Sequence, residues 1–172
     1  YRQPIASGEF VLVGPGGAAR AGGRPGSKTN PANRSAAERS IAASLERLSD
    51  AASAAPGGFI FLSANDGSGV HFAELAAWRR AGIAPQAPWY QIAEPGSNLV
   101  AQARARGAYA LVERGAWTLQ GGAPLAMRVE GDPTGIEPIH AMRSFRSPHP
   151  AAKLFIAWIA GGRGRAVVAR QR

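Results

Sequence analysis

Ser63, Asn65, Asp66, Ser68 and Gly69 stand together between a continuous apolar run and a segment with helical periodicity. Hydroxyls, an amide and glycine N–H groups at the start of a helix are the groups that replace the hydration shell of a carboxylate or an oxyanion. They sit at the positive end of the helix dipole, so the spacing predicts an anion-sized turn. Asp66 is expected to accept loop N–H groups rather than touch an anion, because two negative charges repel. Glu113 and Arg114, at the end of a candidate strand where open α/β sheets bind ligands, are read either as a functional ion pair or as a salt bridge that fastens loops.

Other chemistries lack their parts. His71 and Glu74, three positions apart on the helical segment, could both face a metal, but His140 and His149 have no second paired ligand and no His-Glu-x-x-His spacing occurs. A histidine that hydrogen-bonds locally near a helix N-terminus is the expected role of His71. Asp66 occupies the place of the first glycine in the Gly-x-Ser-x-Gly nucleophile elbow, so Ser68 is not read as a hydrolase serine. Pro15 interrupts the glycines at 14, 16 and 17, which match no phosphate-loop pattern. No nucleophile, base and electrophile assemble in the sequence, and no cofactor is implied. The chain is read as a non-enzyme.

The elements that must position these residues follow from pattern. Phe59-Ile60-Phe61-Leu62 has the composition of a strand buried on both faces, and Pro56-Gly57-Gly58 separates it from the helix before it. The helix after the loop places Phe72, Leu75 and Trp78 on one stripe, expected to be its buried face, and stops at Ala81-Gly82. Upstream, Phe10 to Val13 is a compact strand. A helix is expected from Ser35, with Glu38 completing a capping box and Ile41, Leu45 and Leu48 as its core stripe. Downstream come a short strand at 89–92, a turn at 95–98, a helix at 99–106 ended by Gly107, and a strand at 108–112 closing a β-α-β unit. Glu113-Arg114-Gly115 ends that strand. Strands at 125–129 and 139–142, a turn at 131–133 and a helix at 150–160 complete the reading. Alternating strand and helix predict an α/β fold with a substantially parallel sheet.

The chain has 172 residues, 45% of them hydrophobic, enough for a real core. It contains no cysteine, which excludes disulfides and thiolate metal sites. No apolar run is long enough to span a bilayer, so no membrane insertion is expected. The formal charge of +9 makes an anionic partner the first expectation. Arg104 with Arg106, and the tail Arg163, Arg165, Arg170 and Arg172, form two clusters without interleaved aromatics. They are read as solvated basic surface rather than as a nucleic-acid face.

The order of motifs resembles the periplasmic tungstate-binding proteins of ABC transporters, a group with the type II periplasmic-binding-protein fold. Six segments carry the resemblance: residues 10–15, residues 61–71, the helix and turn from Glu74 through Trp78 to Trp89-Tyr90, residues 108–115, Glu130-Gly131-Asp132-Pro133, and residues 152–159. It implies one nearly complete lobe at 10–127, with 1–9 and 128–172 as crossover segments and a remnant of the other lobe. It also implies that the chain, starting at Tyr1-Arg2, lacks the N-terminal part of the first lobe. A periplasmic or extracytoplasmic location and an ABC-transporter permease as partner follow from the same resemblance. The ligand implied is a tetrahedral oxyanion such as tungstate or molybdate, bound in an interlobe cleft by Ser63, Asn65, Asp66, Ser68 and Gly69, with Arg114 as a compensating cation. Ala64 and Val70 stand where the family carries arginine and threonine. They define the alternative, a degenerate sensor or scaffold lobe that binds no oxyanion.

Overall fold

The computed structural model describes residues 2–16, 39–146 and 149–170. Its architecture rests on β1, Arg2–Pro15, a long strand of which only the stretch from Phe10 onward is deeply buried. There Phe10, Leu12 and their neighbours alternate between two apolar clusters. Phe10 and Leu12 join Ile41, Leu45 and Leu48 of helix α1 (Ile41–Ala54), while Val11 and Val13 join Leu62, Val100 and Ala103 on the other face. A strand covered on both faces must be apolar at every position, which is why this run lacks the alternation of a half-exposed strand.

Around it are arranged β2 (Phe61–Ser63), α2 (Gly69–Arg80), β3 (Tyr90–Ile92), α3 (Leu99–Arg106), β4 (Ala110–Glu113), α4 (Arg114–Gln120) and β5 (Leu125–Val129). β2 and β3 pair in parallel. A parallel bridge between Phe61 and Tyr109, with Leu62 N–H donating to the Tyr109 carbonyl at 2.8 Å, carries this pair onto β4. The expected parallel sheet fails at its centre, however: β1 runs antiparallel to both β4 and β5. Strand composition reports burial and not direction, so the reversal had no local signal. Gly14 permits the closest packing here, since a Cβ at that position would lie 2.3 Å from the Tyr109 ring.

Other differences have local causes. The expected start at Ser35 and its box with Glu38 lie outside the described residues. In the described chain α1 begins at Ile41, with Ser40 accepting the Ala43 N–H. A second acceptor serves the same end: buried Asp132 takes the Ile41 N–H at 2.7 Å with one oxygen and the Thr134 N–H and hydroxyl with the other. The segment at 131–133, read as a simple turn, thus anchors a helix distant in sequence. Helix α4 begins where the sequence reading ended a strand at Glu113-Arg114-Gly115, because Glu113 with extended backbone serves as its N-cap without a side-chain hydrogen bond.

The chain divides into two compact units, residues 10–135 and residues 1–9 with 136–172. In the second, residues 2–9 of β1 pair antiparallel with β6 (Ile136–Met142), followed by α5 (Pro150–Ala160) and α6 (Gly162–Ala169). β6 is longer than the expected 139–142. α6 lies in the arginine-rich tail, where Gly162 and Gly164 hide helical character in the sequence. Gly164 allows close contact with α5: a Cβ there would lie 2.3 Å from the Ile159 Cα.

Candidate anion-binding site

Because β2, β3 and β4 are parallel, their carboxyl ends open on one edge of the sheet, where α/β folds bind ligands. Ser63 ends β2, Ile92 ends β3, and Glu113 with Arg114 stands at the end of β4. Each strand is followed by a helix, so the N-termini of α2, α3 and α4 share that edge.

The loop after β2 is built by its own side chains. Asn65 takes a left-handed conformation with φ of 44°, and Gly67 follows at φ of 73°, together turning the chain from strand to helix. Asp66 Oδ1 accepts the Ser68 N–H at 2.9 Å. The Ser68 hydroxyl and N–H beside it hold the Asp66 carboxyl below the ordinary carboxylate range. Ser68 caps α2 by accepting the His71 N–H at 3.3 Å, and His71 Nδ1 accepts the Gly67 N–H at 3.1 Å. His71 therefore plays the local role expected of it. Among the described residues no group of three or more His, Asp or Glu side chains is arranged for a metal ion.

The N–H groups of Gly67, Ser68 and His71 are thus consumed internally. The N–H groups of Gly69 and Val70, the first two residues of α2, have no acceptor among the described residues. They are the orphan donors of a helix N-terminus, at the same end that the Ser68 hydroxyl oxygen caps. Val70 lacks the hydroxyl of the threonine implied by the resemblance but keeps this N–H.

Beneath the loop lies a buried polar cluster that apolar periodicity could not reveal. The expected stripe of Phe72, Leu75 and Trp78 is only partly realised: Phe72 is 63% exposed, and α2 buries Glu74, Ala77 and Trp78 instead. A carboxylate is tolerated there because Tyr90 donates its hydroxyl to Glu74 Oε1 at 2.7 Å and Trp78 donates its indole N–H at 3.2 Å. Burial pushes the Glu74 carboxyl above its ordinary range and the Tyr90 hydroxyl up to about 12. Ser63 is wholly buried. Its hydroxyl makes no hydrogen bond of normal geometry, yet it lies near enough to favour the charged forms of Glu74 and Tyr90.

The other two ends of the edge are less open. Asn98 caps α3 by accepting the Ala101 N–H at 3.0 Å and donates its amide to Gln120 of α4. Arg114 Nη2 lies 2.9 Å from Glu130 Oε2, an ion pair at intermediate exposure. In the sequence the acid next to Arg114 is Glu113. The fold brings Glu130 to it from the end of β5, a pairing that no local spacing announces.

With this geometry the chain can be set beside known proteins. No protein-family profile matches it. The tungstate-binding protein TupA of Peptoclostridium acidaminophilum is 25% identical over 175 residues, a match covering 97% of this chain and 55% of that protein. The chain is similar to tungstate-binding proteins. It spans about half the length of the curated relative it matches. Among solved structures, the tungstate ABC transporter protein from Geobacter sulfurreducens is 27% identical with a TM-score of 0.70, over 99% of this chain and 67% of that one. TupA from Desulfovibrio alaskensis, 22% identical with a TM-score of 0.69 over 98% of this chain and 64% of that one, shares the fold. A LysR substrate-binding domain from Wolinella succinogenes, at a TM-score of 0.56, shares it more distantly. The fold is therefore α/β and of the periplasmic-binding-protein kind, as the motif order implied.

Proposed function

We propose that this chain is a substrate-binding part of an oxyanion transporter and that it holds a tetrahedral anion such as tungstate or molybdate without chemical conversion. The observation that carries this reading is the pair of unpaired N–H groups at Gly69 and Val70 beside the Ser68 hydroxyl, on the carboxyl edge of the sheet. An anion there exchanges water for fixed dipoles that are already aimed, so little reorganisation opposes binding. Asn65 adds an exposed amide at the rim of the loop. Ser63 and Asp66 act in this proposal by holding the loop's shape, one from below and one by capping Ser68. Arg114 supplies positive charge to the edge while tethered to Glu130. The relatives' names, a tungstate-binding protein and a tungstate ABC transporter, support a binding role within such a transporter, and the reading takes a periplasmic setting and an ABC permease as partner with it.

Titration calorimetry with tungstate, molybdate and sulfate tests the reading. Heat of binding is expected for at least one of the three, with Ser68→Ala weakening it about tenfold or more, the value of one charge-assisted hydrogen bond. No heat for any of them overturns it.

A second reading, a lobe that has lost the oxyanion and serves as sensor or scaffold, is favoured by a specific observation. Ala64 supplies no charge, and Arg114, the cation the resemblance offers in compensation, is paired with Glu130. Ala64→Arg separates the two: it creates or strengthens tungstate binding if the site is merely weakened, and does nothing if the loop has been given over to another use.

A further inference from the structure

Glu74 is buried without a cation to compensate it. The residue is 1% exposed, and both of its hydrogen bonds, from the Tyr90 hydroxyl at 2.7 Å and the Trp78 indole N–H at 3.2 Å, converge on Oε1. Among the described residues no basic side chain lies within ion-pairing distance of it. The polar groups that face it are Tyr90 from β3, Ser63 from β2, and Trp78 and His71 from its own helix. α1 and β4 also pack on α2, and their charged residues are Glu46, Arg47, Asp50 and Glu113. Arg47 is held by the Ser44 hydroxyl, and the other three are exposed.

Along α2, Glu74 follows the orphan N–H groups of Gly69 and Val70 by little more than one turn, about 6–8 Å at the helical rise. An anion held by those N–H groups shares one short helix segment with a buried carboxylate. Negative charges at that distance in a partly desolvated site shift a proton equilibrium on the order of tenfold or more. The repulsion is relieved when the carboxyl takes up a proton. Either protonation state can be accommodated, because the Ser63 hydroxyl is wholly buried with no partner of normal geometry. A hydroxyl donates to a carboxylate or accepts from a carboxylic acid. Burial already holds the Glu74 carboxyl above its ordinary 4.5, toward the pH at which an anion would be met.

We propose that Glu74 makes the anion site proton-linked: an anion arriving at the N-terminus of α2 draws a proton from solvent onto the Glu74 carboxyl, and protonation of Glu74 raises the affinity for the anion. Linkage makes the two effects equal in size. The affinity therefore rises as pH falls through the Glu74 titration and is lowest where the carboxyl is fully ionised. Asp66 does not carry the link, since its bonds with Ser68 favour its charged form. His71 is the competing carrier, but its Nδ1 accepts the Gly67 N–H, so a proton added there displaces a bond that shapes the loop. The proposal rests on the anion reading and names what regulates that site.

Calorimetry with tungstate, molybdate and sulfate at sub-millimolar concentration tests it. Titrations in HEPES and in Tris between about pH 7 and about pH 8 count the protons taken up per anion bound, because the two buffers differ in ionisation heat. Net uptake is expected, with affinity rising about threefold or more as pH falls across that range. Glu74→Gln, a neutral mimic of the protonated residue, should bind about tenfold more tightly than the parent at about pH 8 and lose the uptake. A merely structural Glu74 would give weaker binding in the variant. The Glu74 carboxyl carbon, followed by NMR and assigned by its absence from the variant, should titrate at a higher midpoint with saturating anion than without. Heat of binding without proton uptake overturns the inference and leaves the anion reading standing. So does a Glu74 midpoint that the anion does not move, or a variant that binds no more tightly than the parent. A variant that keeps the uptake overturns it in favour of His71. No heat for any of the three anions at any pH, in parent and variant alike, overturns the anion reading itself and the inference with it.

Discussion

Glu74 is the residue whose environment departs furthest from what its type suggests. Its carboxyl sits under the loop among Trp78, Tyr90 and Ser63, and burial raises its pKa above the ordinary 4.5. The folded state therefore binds this proton more tightly than the unfolded chain does. The associated stability is present in full below about pH 4.5 and is lost as pH rises through the folded value. Glu74→Gln keeps an acceptor for Tyr90 and Trp78 and removes the titration, so the melting temperature should fall less between pH 4.5 and 7 than in the parent. Glu74→Leu leaves both donors unpaired and should cost about 1–3 kcal/mol in urea unfolding. Asp66 has the opposite sign: its lowered pKa gives stability above its ordinary 3.8 that is lost as pH falls through the folded value. A melting profile below pH 4 that is unchanged by Asp66→Asn would count against the cap described for it. Gly14→Ala drives a methyl into the Tyr109 ring and should destabilise by about 1–3 kcal/mol.

At the scale of elements, helices α1 and α2 begin with side chains that substitute for missing carbonyls. The two differ in reach. Ser68 and Asp66 serve α2 from adjacent positions, so a local reading of the sequence found that loop and its helix. Asp132 serves α1 from a turn far along the chain, and Asp132→Ala should strand both the Ile41 N–H and Thr134. Loss of about 1–3 kcal/mol is expected by chemical denaturation, and a change under 0.5 kcal/mol would show that water replaces the carboxylate. The element boundaries legible in advance, such as 99–106, 125–129 and 150–160, are those marked by caps, glycine stops or proline. α4 and α6 lack such marks. Their starts are an extended glutamate with no side-chain cap and a glycine pair, neither of which distinguishes a helix from a loop.

The whole molecule is uneven in its burial. Residues 10–135 hold both apolar clusters, whereas the other unit leaves most of its large apolar side chains in contact with solvent. Hydrogen exchange on the chain alone should give strong protection for β1 from Phe10 onward, β2 and β4, and weak protection for α5 and α6; uniform protection across both units would contradict this account. The net charge of +9 acts over the entire surface. Any anion affinity it contributes should weaken with salt, while the part due to the loop dipoles should be less sensitive.

The amino-acid sequence by itself determined the α/β character, the strand–loop–helix at residues 61–80 and the likeness to tungstate-binding proteins, because these rest on local patterns of burial, turn chemistry and motif order. Tertiary structure alone decided that β1 runs against its neighbours, that Arg114 meets Glu130, that Asp132 holds α1, and that Glu74 rather than Phe72 turns inward. Each joins residues distant in sequence or satisfies a buried polar group through a partner on another element. Local propensity carries no information about such partners, since a carboxylate becomes a buried residue only when the fold delivers the donors that replace its water.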